Sequence, residues 1–124
     1  MDLRFGLPVV ASAPRAARGA LDGPLDHLPD DARERIRLAL SELVTNVVQH
    51  GGLGEDQEMT VLVADGSGPV RVVVGQPTSA PASIVPRGAR AGTDGHGLRM
   101  VDVLVDRWGV SPEPPGAVWF EVDP

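Results

Sequence analysis

Three polar side chains, Glu42, Asn46 and His50, recur every fourth residue within a stretch, Asp30 to His50, that holds neither glycine nor proline. In an α-helix each residue advances about 100°, so this spacing sets all three along one band of the surface. A carboxylate placed there can orient or deprotonate a hydroxyl nucleophile. An amide oxygen can complete the shell of a Mg²⁺ that keeps most of its waters, and an imidazole can reach a phosphate. The same triplet also occurs on ordinary solvated helix faces, so its spacing alone does not define a site. A second cluster, Gly92-Thr93-Asp94-Gly95-His96-Gly97-Leu98, ends a long irregular stretch and opens a helix. Backbone N–H groups and the dipole at such a start can hold phosphate, although a glycine-rich helix start is also a common loop ending. No strand immediately precedes it, which excludes a dinucleotide fingerprint, and no Gly-Lys-Ser/Thr is present to make a phosphate loop.

The elements that must carry these groups follow from apolar periodicity. Asp30 offers an N-cap, and Asp31 and Glu34 put negative charge in the first turn. Ala32, Ile36, Leu40, Leu43 and Val47 fall on one stripe that must face a core, and Gly51-Gly52 stops the helix. Before it, the pattern predicts a strand at about 3–10 and a short helix at 14–21, where Pro14 suits a first turn. After it come two β-branched strands, 59–64 and 70–74, joined by the hairpin-type turn Asp65-Gly66-Ser67-Gly68. Residues 76–96 show no period, carry three prolines and have the length of a functional lid. A second helix is expected from 97 to about 106, with Leu98, Val101, Leu104 and Val105 inward and Arg99 and Asp102 outward, then closing strands at 108–110 and 117–122. The expected fold is α+β: a two-layer sandwich with helices on one face of a mixed, mainly antiparallel sheet.

Composition narrows the function. A chain of 124 residues is read as a single domain, residues 1–124, able to bury roughly two-thirds of its unfolded surface. The absence of cysteine excludes disulfides, thiolate metal sites and cysteine nucleophiles. All eleven basic residues are arginine, which forbids a lysine-dependent mechanism, and a net charge of −6 argues against direct nucleic-acid binding. No apolar run approaches the ~18 residues of a membrane span, and the first residues lack the cationic start of a signal peptide, so a cytoplasmic location is expected.

In combination the two polar clusters resemble a known pattern. Residues 39–51, ALSELVTNVVQHG, closely resemble the N box of the GHKL ATPase superfamily, and Gly95-His96-Gly97-Leu98 with Val101 resembles its second glycine box. Asp106-Arg107-Trp108-Gly109-Val110 and Val118-Trp119-Phe120-Glu121 look like the tail of its small stand-alone members related to anti-sigma-factor serine/threonine kinases. The resemblance covers nearly the whole chain from about residue 30. It implies ATP held between the N-box helix, the lid and the sheet, with Glu42 as general base toward a protein serine and Asn46 binding Mg²⁺. It further implies His50 near the phosphates, backbone contacts from Gly95, His96, Gly97 and Leu98, and Arg87, Arg90 and Arg99 as candidates for phosphate or partner contacts. Its partners would be a small anti-anti-sigma-type protein and a sigma factor, and a homodimer is compatible with it.

Two departures stand out. Where relatives place an adenine-binding aspartate after their third strand, this chain has Gln76, which is neutral and one methylene longer but can still accept a hydrogen bond. Where relatives often have Gly-Lys-Thr before the final Val-Trp, it has Pro115-Gly116-Ala117. Asp65-Gly66-Ser67-Gly68 imitates the missing acid-plus-glycine box but follows Asn46 too closely and lies between two strands, so it reads as a turn. A non-catalytic regulator with a degenerate adenine site remains an alternative, as does a small hydrolase using Glu42 and His50, for which no nucleophile is evident.

Overall fold

The computed structural model describes residues 2–50, 58–66, 68–75, 96–111 and 117–124, with the side chains of His50, 96–99 and Ser111 left aside. The proposed stop at Gly51-Gly52, the lid residues 76–95 and the Pro115-Gly116 segment lie outside these residues. The element order is β1 (Asp2–Pro8), α1 (Ala13–Ala20), α2 (Asp30–His50), β2 (Glu58–Ala64), β3 (Val70–Gly75), α3 (His96–Leu104), β4 (Arg107–Ser111) and β5 (Ala117–Val122). The α+β sandwich expected from the pattern is observed. The sheet has the order β1-β2-β3-β5-β4, and every pairing is antiparallel, so the mixed component expected of it is not found among the described strands.

The reason lies in where the connections return. Pro8 at the end of β1 pairs with Glu58 at the start of β2, so the excursion through α1 and α2 re-enters the sheet at the end it left. Likewise Gly75 pairs with Ala117, and Ser111 with Ala117. One end of the sheet therefore gathers Pro8, Glu58, Gly75, Ser111 and Ala117. The opposite end gathers Asp2, Ala64, Val70, Arg107 and Val122.

Alternation along each strand supplies one apolar face. Met59, Val61 and Val63, Val70, Val72 and Val74, and Val118, Phe120 and Val122 are buried, while their neighbours point away. Onto this face α2 lays its whole stripe: Ala32, Ile36, Leu40, Leu43 and Val47 are all 6% exposed or less. Each large member contributes roughly 1.5–3 kcal/mol by burial. Asp30 differs from its expected capping role: Arg33 donates its backbone N–H to Pro29, and the Asp30 carboxylate instead pairs with the Arg33 guanidinium at 2.5 Å. The short α1 buries Ala13 and Ala17, small enough to bring it close to α2, and Arg18 donates to the Ser41 hydroxyl at 2.7 Å.

Away from the helices, the far face of the sheet carries a charged chain. Arg71 and Arg107 both donate to the Glu121 carboxylate, at 3.1 and 2.8 Å, and Arg107 continues to Asp123 at 2.6 Å. Arg71 also stacks 4.3 Å from the centre of the Trp119 ring. That ring lies over Gly109, where a Cβ atom would come within 2.8 Å of it. Among the described residues no helix is long and apolar enough to cross a membrane.

Two outcomes follow from this architecture. Ile36→Ala, at a fully buried position of the α2 stripe, should lower unfolding free energy in urea by about 2–5 kcal/mol. Acid should also destabilise the chain through two carboxylates. The Asp123 backbone N–H, helped by Arg35, holds Asp106 below its usual range, and hydrogen bonds from Arg107 and Arg71 do the same for Glu121. A carboxyl whose folded pKa is depressed stabilises fully above its unfolded value near 4 and loses that contribution as pH falls through the folded one. The thermal midpoint should therefore fall below about pH 4, and Asp106→Asn with Glu121→Gln should start lower at pH 7 and fall less steeply.

Candidate functional site

The rotation of α2 decides which residues can form a site. Taking about 100° per residue from the core-facing Ile36, Arg35, Glu42 and Asn46 fall about 80–120° to one side, and Arg37 and Ser41 about 100–140° to the other. Observed contacts say what each side meets. Ser41 accepts from Arg18 and Arg37 pairs with Asp22 at 3.6 Å, so that flank faces α1 and the segment after it. Arg35 donates to the Leu104 carbonyl at 3.4 Å, so the flank bearing Glu42 and Asn46 faces α3.

Direction then sets the height of each group. The N-terminal part of α2 lies beside Leu104 and the Asp123 carbonyl, at the Val122 end of the sheet, and its C-terminus leads on to β2 at the Pro8 end. Running the other way, α3 ends at Leu104 just before β4 enters at Arg107. The two helices pack side by side in opposite senses. Seven residues of helix rise roughly 10 Å, so Glu42, two turns beyond Arg35, lies nearer the start of α3 than its end. Asn46 stands one turn further along the same flank. Its place is at the end of the sheet where β3 finishes at Gly75, immediately before Gln76.

The flank of α2 bearing Glu42 and Asn46 thus packs against α3, which begins some fifty residues later in the sequence. Glu42 and Asn46 are half-buried, and among the described residues neither has a hydrogen-bonding partner. Their polar capacity is left for something else. Beside them is the start of α3, whose first backbone N–H groups have no intrahelical acceptors and carry the positive end of the helix dipole. The helix begins at His96, one residue earlier than the sequence suggests. His50 is the last residue of α2, and His96, Gly97 and Leu98 form the first turn of α3. Gln76, Gly95, Arg87 and Arg90 lie outside the described residues, as does the side chain of Arg99. Among those described, no cluster of three or more metal-ligating side chains exists.

The imitation acid-plus-glycine box is placed elsewhere. Asp65 stands in the β2–β3 turn at the opposite end of the sheet, buried, with His27 Nε2 against its carboxylate. Two features escaped the sequence reading: this His27–Asp65 pair and the role of Arg35. The partners lie 38 residues apart in one case and up to 88 in the other, and no spacing rule links them.

Chemically, the described residues offer a carboxylate, an amide and, on the neighbouring helix, an N-terminus, a donor set that suits phosphates and a hydrated divalent cation. If these groups serve a ligand rather than the fold, Glu42→Gln and Asn46→Ala should each shift stability by no more than about 0.5 kcal/mol in urea unfolding, unlike any residue of the stripe.

Comparison with known proteins agrees in placing the chain. The model of the histidine kinase-like ATPase domain matches residues 10–118. No curated protein matches. Among solved structures, that of the RsbU and RsbW domains of Rv1364c from Mycobacterium tuberculosis superposes with a TM-score of 0.74 at 23% identity, over 99% of this chain. The chain spans about a third of that one, 32% of its length.

Proposed function

Because the chain belongs to the histidine kinase-like ATPase domain family, we propose that it is a single nucleotide-binding domain taking Mg-ATP between the Glu42–Asn46 flank of α2 and the first turn of α3. We further infer that it passes the γ-phosphoryl group to a serine or threonine of a small anti-anti-sigma-type protein. The observation that carries this reading is that two half-buried polar side chains, without described partners, lie on the flank of α2 that packs against α3. A sigma factor as second partner, a homodimer and a cytoplasmic location belong to the same reading.

Each residue then has a task. The backbone of Gly95, His96, Gly97 and Leu98, together with His50, holds the phosphates. Asn46 would hold a hydrated Mg²⁺ through its amide oxygen, and the ion would supply positive charge to the transferring phosphoryl group. Glu42 takes the proton from the incoming hydroxyl as its oxygen bonds to the γ-phosphorus and the bond to the β-phosphate oxygen breaks, leaving ADP. Phosphoryl transfer asks mainly for alignment and charge stabilisation, so this small set suffices. Gln76 accepts from the adenine amino group, more weakly than the aspartate of relatives.

Calorimetry with Mg-ATP, followed by mass-detected phosphate transfer to an anti-anti-sigma-type protein, tests the reading. Glu42→Ala should retain most of the binding and lose transfer by about 100-fold or more. Gln76→Asp should tighten binding. Wild type that binds no Mg-ATP at millimolar nucleotide would remove the proposal. Binding with no transfer by wild type would leave the non-catalytic regulator.

A further inference from the structure

Arg35 is the point at which three elements meet. Its Nε donates to Asp31 on its own helix at 3.0 Å. One terminal nitrogen faces the Leu104 carbonyl at 3.4 Å and the Asp106 carboxylate at 3.5 Å, and the other faces the Asp123 carbonyl at 3.3 Å. Asp106 is itself fixed, accepting the Asp123 N–H at 2.7 Å and donating its own N–H to the Glu121 carbonyl at 3.0 Å. One guanidinium thus joins α2, the link from α3 to β4, and the end of β5.

That junction matters because the described side chains of α3 bury little. The helix has nine residues. Among those whose side chains are described, Val101 alone is buried, Leu104 is half-buried, and Met100 and Val103 are 45% and 79% exposed. At its C-terminus the Leu104 carbonyl has no intrahelical partner, and a cation there meets both that oxygen and the negative end of the dipole.

We propose that Arg35 is a positioning residue that pins the C-terminal end of α3 to α2 and thereby sets how the rest of α3 lies along the Glu42–Asn46 flank. It touches no ligand, standing about 10 Å along α2 from Glu42. Its effect on nucleotide rests on the function proposed above, but its effect on α3 does not.

The test uses the full chain in four forms: wild type, Arg35→Met, Arg35→Lys, and Arg71→Met, which breaks an ion pair on the far face of the sheet. Hydrogen exchange by mass spectrometry over residues 96–104 and Mg-ATP calorimetry are read side by side with the thermal midpoint. In Arg35→Met, protection over 96–104 should fall about tenfold while α2, β2 and β3 keep theirs. Mg-ATP affinity should fall by about tenfold. Arg35→Lys should lie between, because it keeps a positive charge at the helix end, and Arg71→Met should leave both readouts at wild-type values. Unchanged exchange over 96–104 in Arg35→Met would overturn the proposal, as would a uniform rise across the chain or an equal loss of ATP affinity in Arg71→Met. Should wild type bind no Mg-ATP, the functional reading fails, and exchange over 96–104 still decides the role of Arg35.

Discussion

A long helix laid on a sheet is free to slide and to roll until its apolar stripe meets the sheet's own apolar face. For α2 that freedom is gone: Ile36, Leu40 and Leu43 are essentially inaccessible to water, against strands whose inward residues are nearly all valine. Rolling the helix by a quarter turn would carry Glu42 or Ser41 into that interface. A carboxylate moved from water into such surroundings without a partner is penalised far more heavily than a methylene is rewarded. The roll is consequently set by the core, and the core places Glu42 and Asn46 at the α3 seam. Chemistry at this seam is therefore inherited from hydrophobic packing several ångströms away.

Charge is used differently on the two sides of the sheet. Arg71, Glu121, Arg107 and Asp123 form an exposed chain in which each charge is answered by a neighbour, and pairs of this kind each bring little stability. Arg35 is more enclosed, with a quarter of its side chain exposed, and it answers backbone carbonyls as well as carboxylates. A guanidinium presents five donors in a fixed plane, so it can hold several acceptors at once where an ammonium could not. The difference is between decorating a surface and fixing the relation of separate elements.

Much of this was legible in sequence, for identifiable reasons. The stripe of α2 is unbroken by glycine or proline, so its limits and its buried face could be read directly. The strands after it have β-branched residues and a glycine-bounded turn, and β5 is found at the residues expected, 117–122. Glu42 and Asn46 could be picked out because helical spacing is a local property. Strand order could not, since β3 pairs with β5 across an intervening helix and strand, and nothing in either segment names its neighbour. The acceptors of Arg35 were hidden for a simpler reason: two of them are main-chain carbonyls, which every residue possesses. The antiparallel sense of the whole sheet likewise depended on where connections return, and their paths are not written in apolar periodicity.

The distribution of the strand ends has one more consequence. Asp2 and Val122 both lie at the end of the sheet away from Asn46. At the other end of the sheet β1, β3 and β4 finish, at Pro8, Gly75 and Ser111. Polypeptide joined before Asp2 or after Val122 would depart from the opposite end. In evolutionary terms the fold can be spliced into longer chains, or exchanged between them, without its neighbours passing over the seam between α2 and α3.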